Sequence, residues 1–110
     1  GDYSPKELKA FLGQMDLVIG MRMHSLIMAS MMGVPVVGID ISPKFAPFFR
    51  LIRQEYYLID IENANFDTLF HKVETAWSNR KQISEELRLR TNVLQKRALS
   101  NNDFVLSLLE

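Results

Sequence analysis

The chain has 110 residues, enough for one small domain with a modest core, and at 47% hydrophobic and 24% charged residues it is globular in composition. Thirteen basic residues balance thirteen acidic ones, which removes any general electrostatic footprint for nucleic acid. There is no cysteine, so disulfides and thiolate metal sites are excluded.

The first element is a helix over residues 5–12. Ser4 caps it, Pro5 takes the first helical position, and Glu7 completes the capping-box spacing. Leu8, Phe11 and Leu12 share its apolar face, and Gly13 ends it. A short buried strand follows over 17–20, an apolar β-branched run closed by Gly20. Next comes a loop carrying Arg22 and His24. A second helix begins near His24 or Ser25 and runs to Met32, with Gly33 after it. It mixes small residues, Ala29 and Ser30, with gap-filling methionines. Pro35 opens a second strand over 36–40 whose continuous apolar run marks burial on both faces. A strand–helix–strand unit of this size implies a parallel pair with a right-handed crossover.

Residues 41–47 contain Pro43 and Pro47 and read as a loop at the carboxyl end of the second strand, beside the Arg22/His24 loop. A short helix over 48–53 and a third strand over 57–60 follow. Asn65 is the expected cap of a helix over 66–78, where Leu69, Phe70, Val73, Ala76 and Trp77 recur at helical spacing. Trp77 reads as an anchor between helix and sheet. A long helix over 80–100 has a thinner apolar stripe of Ile83, Leu87 and Leu94, and a last short helix is expected over 104–109.

The predicted architecture is α/β: a partial Rossmann-like three-layer domain with a short parallel sheet of about three strands, followed by C-terminal helices. The α/β core spans 3–78 and the helical tail 80–110, as a single domain. Doubly wound domains usually carry five or six strands, so the chain reads as the latter part of such a domain. A sheet cut short in this way invites self-association along its edge.

In open α/β sheets, ligands bind beyond the carboxyl ends of the strands. Arg22 can grip a carboxylate or phosphate bidentately, and His24 can hold an anion or donate a proton. The helix N-terminus beside them favours negative charge. Each residue also has a plainer reading. Arg22 alone would serve as a structural arginine on loop carbonyls, His24 as a cap or core histidine, Ser25 as a cap, and Lys44 as a solvated loop lysine. His71 reads as surface. Tyr56 and Tyr57 read as strand packing, with sugar stacking as the alternative.

Residues 16–44, DLVIGMRMHSLIMASMMGVPVVGIDISPK, resemble the core motif of the polysaccharide pyruvyl transferase family. The resemblance lies in a strand ending in G-M-R-M-H, a small-residue helix, G-V-P, a second apolar strand and a loop with P-K. It implies the latter half of the C-terminal domain of a GT-B-like enzyme, working with an N-terminal domain that this chain does not include. Such an enzyme transfers a pyruvyl group from phosphoenolpyruvate to a sugar hydroxyl, as a ketal, in cell-wall or exopolysaccharide synthesis. By the same resemblance, Arg22 binds the anionic donor and His24 is the general acid. Met23, through its backbone, and Lys44 are further substrate-binding positions by that resemblance, and Ser25, read from its place beside them, is a further candidate contact to the donor. The acceptor is a sugar or lipid-linked saccharide. No metal or separate cofactor is implied. The aromatic and acidic residues that members often carry before P-K are replaced here by Ile41 and Ser42. The expected location is cytoplasmic, including the inner face of the membrane, because phosphoenolpyruvate is made there. Two other readings remain: a nucleotide-sugar glycosyltransferase using the same rim, and a non-catalytic assembly module.

Overall fold

The computed structural model describes residues 4–41 and 43–100. Ser42 and the helix expected over 104–109 lie outside the described residues. Among the described residues, five α-helices and three strands follow in the order α1 (Pro5–Gly13), β1 (Val18–Gly20), α2 (Met23–Met31), β2 (Val36–Asp40), α3 (Ala46–Leu51), β3 (Leu58–Asp60), α4 (Phe66–Ser78) and α5 (Arg80–Ser100). The strands form one parallel sheet in the order β1-β2-β3. This is the predicted α/β class with its short three-stranded parallel sheet.

The register explains how the sheet is packed. Val18, Ile19 and Gly20 pair with Val36, Val37 and Gly38, and Gly38 to Asp40 pair with Leu58 to Asp60. Gly20 and Gly38 are therefore neighbours on one face. A Cβ on Gly20 would meet Leu26 of α2, and one on Gly38 would meet Phe49 of α3. Both crossover helices thus lie on that face, as two successive right-handed connections require. Val37 and Ile59 point the other way and are also buried, so the centre of the sheet is covered on both sides. Ile19, on the same side at the β1 edge, stays 48% exposed.

Local chemistry sets the helix ends. Ser4 Oγ accepts the Glu7 N–H at 3.1 Å, capping α1 as expected. Asn65 and Thr68 form a reciprocal capping box at α4, each side chain accepting the other's backbone N–H, at 2.9 and 3.0 Å. Gly33, at φ 79°, ends α2 in a Schellman turn: its N–H reaches Ser30 O at 3.0 Å and the Val34 N–H reaches Ala29 O at 2.9 Å. Ala29 and Ser30 are fully buried, and Ser30 Oγ donates to Leu26 O at 2.6 Å, so the small-residue helix packs as read. Ile83, Leu87 and Leu94 are the buried stripe of α5, with Thr91 beside them.

Several boundaries differ from expectation. The short helix starts at Ala46 and ends at Leu51, not 48–53, because Pro47 is tolerated in a first turn. Tyr57 belongs to a 3₁₀ turn, Glu55–Tyr57, and β3 begins only at Leu58. The two tyrosines are therefore not strand residues. The Tyr56 ring is capped by Lys72 Nζ, 3.3 Å from its centre. Trp77 does not anchor helix to sheet. It is 46% exposed, with the Arg80 guanidinium 4.0 Å above its ring. Phe70 is exposed too, stacked on Phe66 at 5.7 Å. The core takes only Leu69, Val73 and Ala76 from that helix. Phe11 likewise faces outward on α1, leaving Leu12 as its buried residue.

Candidate functional site

Parallel strands send their carboxyl ends to one rim of the sheet, and the loops after β1 and β2 are neighbours there. The β1 loop is only two residues long, Met21 and Arg22. Arg22 is the N-cap of α2, with extended backbone (φ −110°, ψ 122°) and no capping hydrogen bond from its side chain. Its carbonyl accepts the Leu26 N–H at 3.2 Å. The N–H groups of Met23, His24 and Ser25 occupy the first helical turn, where no intrahelical acceptor exists. The helix starts one or two residues earlier than predicted. Ser25 is consequently its third residue, half-buried, and not its cap.

Arg22 and His24 are both exposed, and Met23 and Ser25 are half-buried. Met23 packs against the core and thereby pins the turn from which its neighbours project. Lys44 is exposed in the turn after β2. All five residues singled out by the sequence thus belong to the same end of the sheet: four consecutive at the β1–α2 junction, and one on the adjacent loop. The arrangement offers two permanent cations, an imidazole and a row of backbone donors. That set suits a small anion carrying more than one acidic group.

Asp40 is the rim residue that the sequence reading passed over. It closes β2, is only 5% exposed, and its Oδ2 accepts the Phe45 N–H at 3.3 Å. Phe45 is the N-cap of α3 and is itself buried. The carboxylate therefore ties the far end of the β2 loop back to the strand, one residue beyond Lys44. Its signal in the sequence was an acid ending an apolar run just before a proline-rich loop. Next to it, a cleft of about 270 Å³ lies between Asp40, Ile41 and Pro43 on one side and Asp60 to Glu62 on the other. Among the described residues, no group of three or more His, Asp and Glu side chains is placed to hold a metal ion. No helix among them is long and apolar enough to cross a membrane.

Residues 1–43 match the model of the family described as polysaccharide pyruvyl transferase. The matched segment runs from α1 to the loop after β2. It contains Arg22, Met23, His24 and Ser25, and it stops one residue before Lys44. No curated protein and no solved structure matches the chain.

Proposed function

We propose that this chain supplies the donor-binding rim of a polysaccharide pyruvyl transferase, which moves a pyruvyl group from phosphoenolpyruvate to a sugar hydroxyl as a ketal. The observation that carries this reading is Arg22 and His24 flanking Met23 at a strand-to-helix junction, inside the segment matched by the family model. Phosphoenolpyruvate bears a carboxylate and a phosphate. Arg22 grips one of them bidentately, and the N–H groups of residues 23–25 solvate the negative charge. Lys44 reaches the same ligand from the adjacent loop. Ketal formation needs a proton delivered to the methylene carbon while one sugar hydroxyl adds to the neighbouring carbon; a second hydroxyl of the same sugar then replaces the phosphate on that carbon, and inorganic phosphate leaves with its proton. His24, exposed on the first turn of α2, is the general acid. The donor is a substrate, and no separate cofactor enters.

The rim is one wall of a cleft. The acceptor, a sugar or lipid-linked saccharide, and a preceding domain of a GT-B-like enzyme complete it. Support for a further domain comes from the β1 edge, where Ile19 is left open. The reaction belongs to the cytoplasmic side, where the donor is made, in the synthesis of cell-wall or extracellular polysaccharide. The chain alone is expected to show little or no transferase activity.

Titration of phosphoenolpyruvate, by calorimetry and by NMR, into this chain and into the longer protein expected to carry it tests the reading. Arg22→Ala should weaken donor binding about tenfold or more, the worth of a charge-assisted bidentate contact. His24→Ala should keep donor binding and lower ketal formation by about 10²–10⁴. Donor binding that ignores Arg22→Ala would remove the assignment. A nucleotide sugar bound in place of phosphoenolpyruvate would move the rim to glycosyl transfer.

A further inference from the structure

The end of the sheet opposite Arg22 and His24 holds a second polar cleft. α3 starts at the rim and runs back, so the turn after it lies at the amino-terminal end of the strands. There the chain passes through Arg53, whose φ is 59°, and enters the 3₁₀ turn Glu55–Tyr57. A cleft of about 240 Å³ lies between this segment and the start of α5. Gln54, Tyr56 and Tyr57 line one side, and Asn79, Gln82 and Glu86 line the other. The second three follow at spacings of three and four, which puts them on one helical face.

Gln54 is the unusual member. Its backbone is accounted for, because its N–H donates to Phe49 O at 2.8 Å and its carbonyl accepts the Tyr57 N–H at 3.0 Å. Its side chain is only 5% exposed, yet it caps nothing and makes no hydrogen bond among the described residues. Burying an amide without a partner is costly. Among the described residues no sealed side-chain nitrogen or oxygen lacks a partner, so the little of Gln54 that stays accessible is its amide, facing the cleft it lines. A nine-tenths-buried amide with its polar end open to a cleft is built to meet something there.

The groups around it are held in place and are both donors and acceptors. Gln82 Nε2 donates to Glu86 Oε1 at 3.1 Å, which leaves the Gln82 carbonyl oxygen and Glu86 Oε2 to accept. Asn79 Nδ2 donates to Thr75 O at 3.0 Å, which fixes that amide. Burial pushes the Tyr57 hydroxyl above the usual tyrosine range, with the Asn79 side chain pulling the other way, so the hydroxyl keeps its proton. Tyr57 stands edge-on to Tyr56 at 5.0 Å, and Lys72 Nζ holds the Tyr56 ring from 3.3 Å.

We propose that this cleft binds one neutral sugar ring. Each sugar hydroxyl donates and accepts, and the planar Gln54 amide offers both functions to two adjacent hydroxyls. The tyrosine rings give the C–H faces of the ring an apolar edge. An anion here would meet Glu86, and a cation would meet Arg53. The volume suits a single ring, since pockets for larger drug-sized ligands run from about 300 Å³ upward. The site shares no residue with the rim, so a failed donor titration leaves it standing, and its own failure leaves the rim.

The test is an NMR titration of the chain with the methyl glycosides of glucose, galactose, mannose and N-acetylglucosamine, following the side-chain amide resonances. Saturable shifts are expected at Gln54 and Gln82 with at least one of them, and phosphoenolpyruvate should leave both resonances in place. Gln54→Leu keeps the size of the side chain and removes the buried amide, so binding should weaken about tenfold or more. Gln82→Ala changes an exposed residue of α5 and should weaken binding about three- to tenfold, which carries the test if Gln54→Leu unfolds the chain. Gln95→Ala, exposed on the same helix outside the cleft, should bind as the native chain does. The proposal is overturned if none of the four sugars gives a saturating shift, or if phosphoenolpyruvate moves both resonances. It is also overturned if the folded variants at Gln54 and Gln82 bind as the native chain does, or if Gln95→Ala weakens binding as much as Gln82→Ala.

Discussion

Gly38→Ala is the sharpest test of how the sheet is packed. A Cβ at this position would lie 2.6 Å from Phe49 Cζ, 3.0 Å from its Cε1 and 3.2 Å from Leu58 Cδ1. Carbon atoms in contact normally stand about 3.5–4.0 Å apart, so the ring would have to retreat by about 1 Å. It has nowhere to go. Phe49 is fully buried and meets Phe48 edge-to-face at 6.0 Å. Overpacking of this kind costs about 1–3 kcal/mol. The opposing gain, from an unfolded chain with fewer conformations, is about 0.4–1 kcal/mol. The clash wins, and stability should fall by about 1–2 kcal/mol, shifting Tm down by roughly 5–15 °C for a domain of this size. Urea unfolding followed by far-UV circular dichroism measures it. Phe49→Leu supplies the control, since a shorter side chain makes room for the new methyl. The two substitutions together should cost less than the sum of their separate costs, by at least about 0.5 kcal/mol. A Gly38→Ala chain as stable as the native one, or strict additivity with Phe49→Leu, would refute the packing.

Two further stability predictions have opposite signs and the same cause. Gly33→Ala puts a Cβ on a residue at φ 79°, with Arg88 Cγ and Nε 3.0 Å away. The side chain of Arg88 can move, so the backbone term dominates, and the loss should be about 1–2 kcal/mol with an unchanged urea m-value. Arg53→Gly relieves the reverse mismatch at φ 59° and should leave Tm unchanged or raise it, by at most about 1 kcal/mol of stability. A lower Tm for Arg53→Gly would mean that the arginine side chain holds the turn more strongly than its backbone strains it.

What the sequence revealed was local, and what it hid was not. The capping of α4 was legible because Asn65 and the apolar spacing after it act within one turn. The rim was legible because Arg22 and His24 adjoin a strand end in the chain itself. Helical periodicity marked an apolar stripe on α4 but not where the core stops. A three-stranded sheet is too narrow to cover Phe66, Phe70 and Trp77, so all three stay exposed. The aromatic pair Tyr56 and Tyr57 had strand composition. The tight turn out of Arg53 winds them into a 3₁₀ segment instead. Gln54, Tyr57 and Gln82 come from separate elements, and only their packing brings them to one cleft.

Asp40 gives the rim its most discriminating experiment, because two mechanisms predict opposite signs. It sits near the end where a negatively charged donor is proposed to bind. By charge alone, losing its carboxylate should tighten donor binding. Its hydrogen bond to the Phe45 N–H argues the reverse, because that bond anchors the loop that carries Lys44. Asp40→Asn separates the two effects. It removes the charge and keeps an acceptor oxygen, so phosphoenolpyruvate should bind as tightly as before or more tightly. Asp40→Ala removes both, and affinity should fall about three- to tenfold, the value of one released contact. Lys44→Ala should then add nothing in the Asp40→Ala background, since the lysine has already lost its position. Calorimetric titration of the native chain, the three single variants and the Asp40→Ala/Lys44→Ala double variant decides it. Tighter binding in Asp40→Ala, or independent effects of Asp40→Ala and Lys44→Ala, would show that Asp40 acts only through its charge and that the β2 loop needs no anchor.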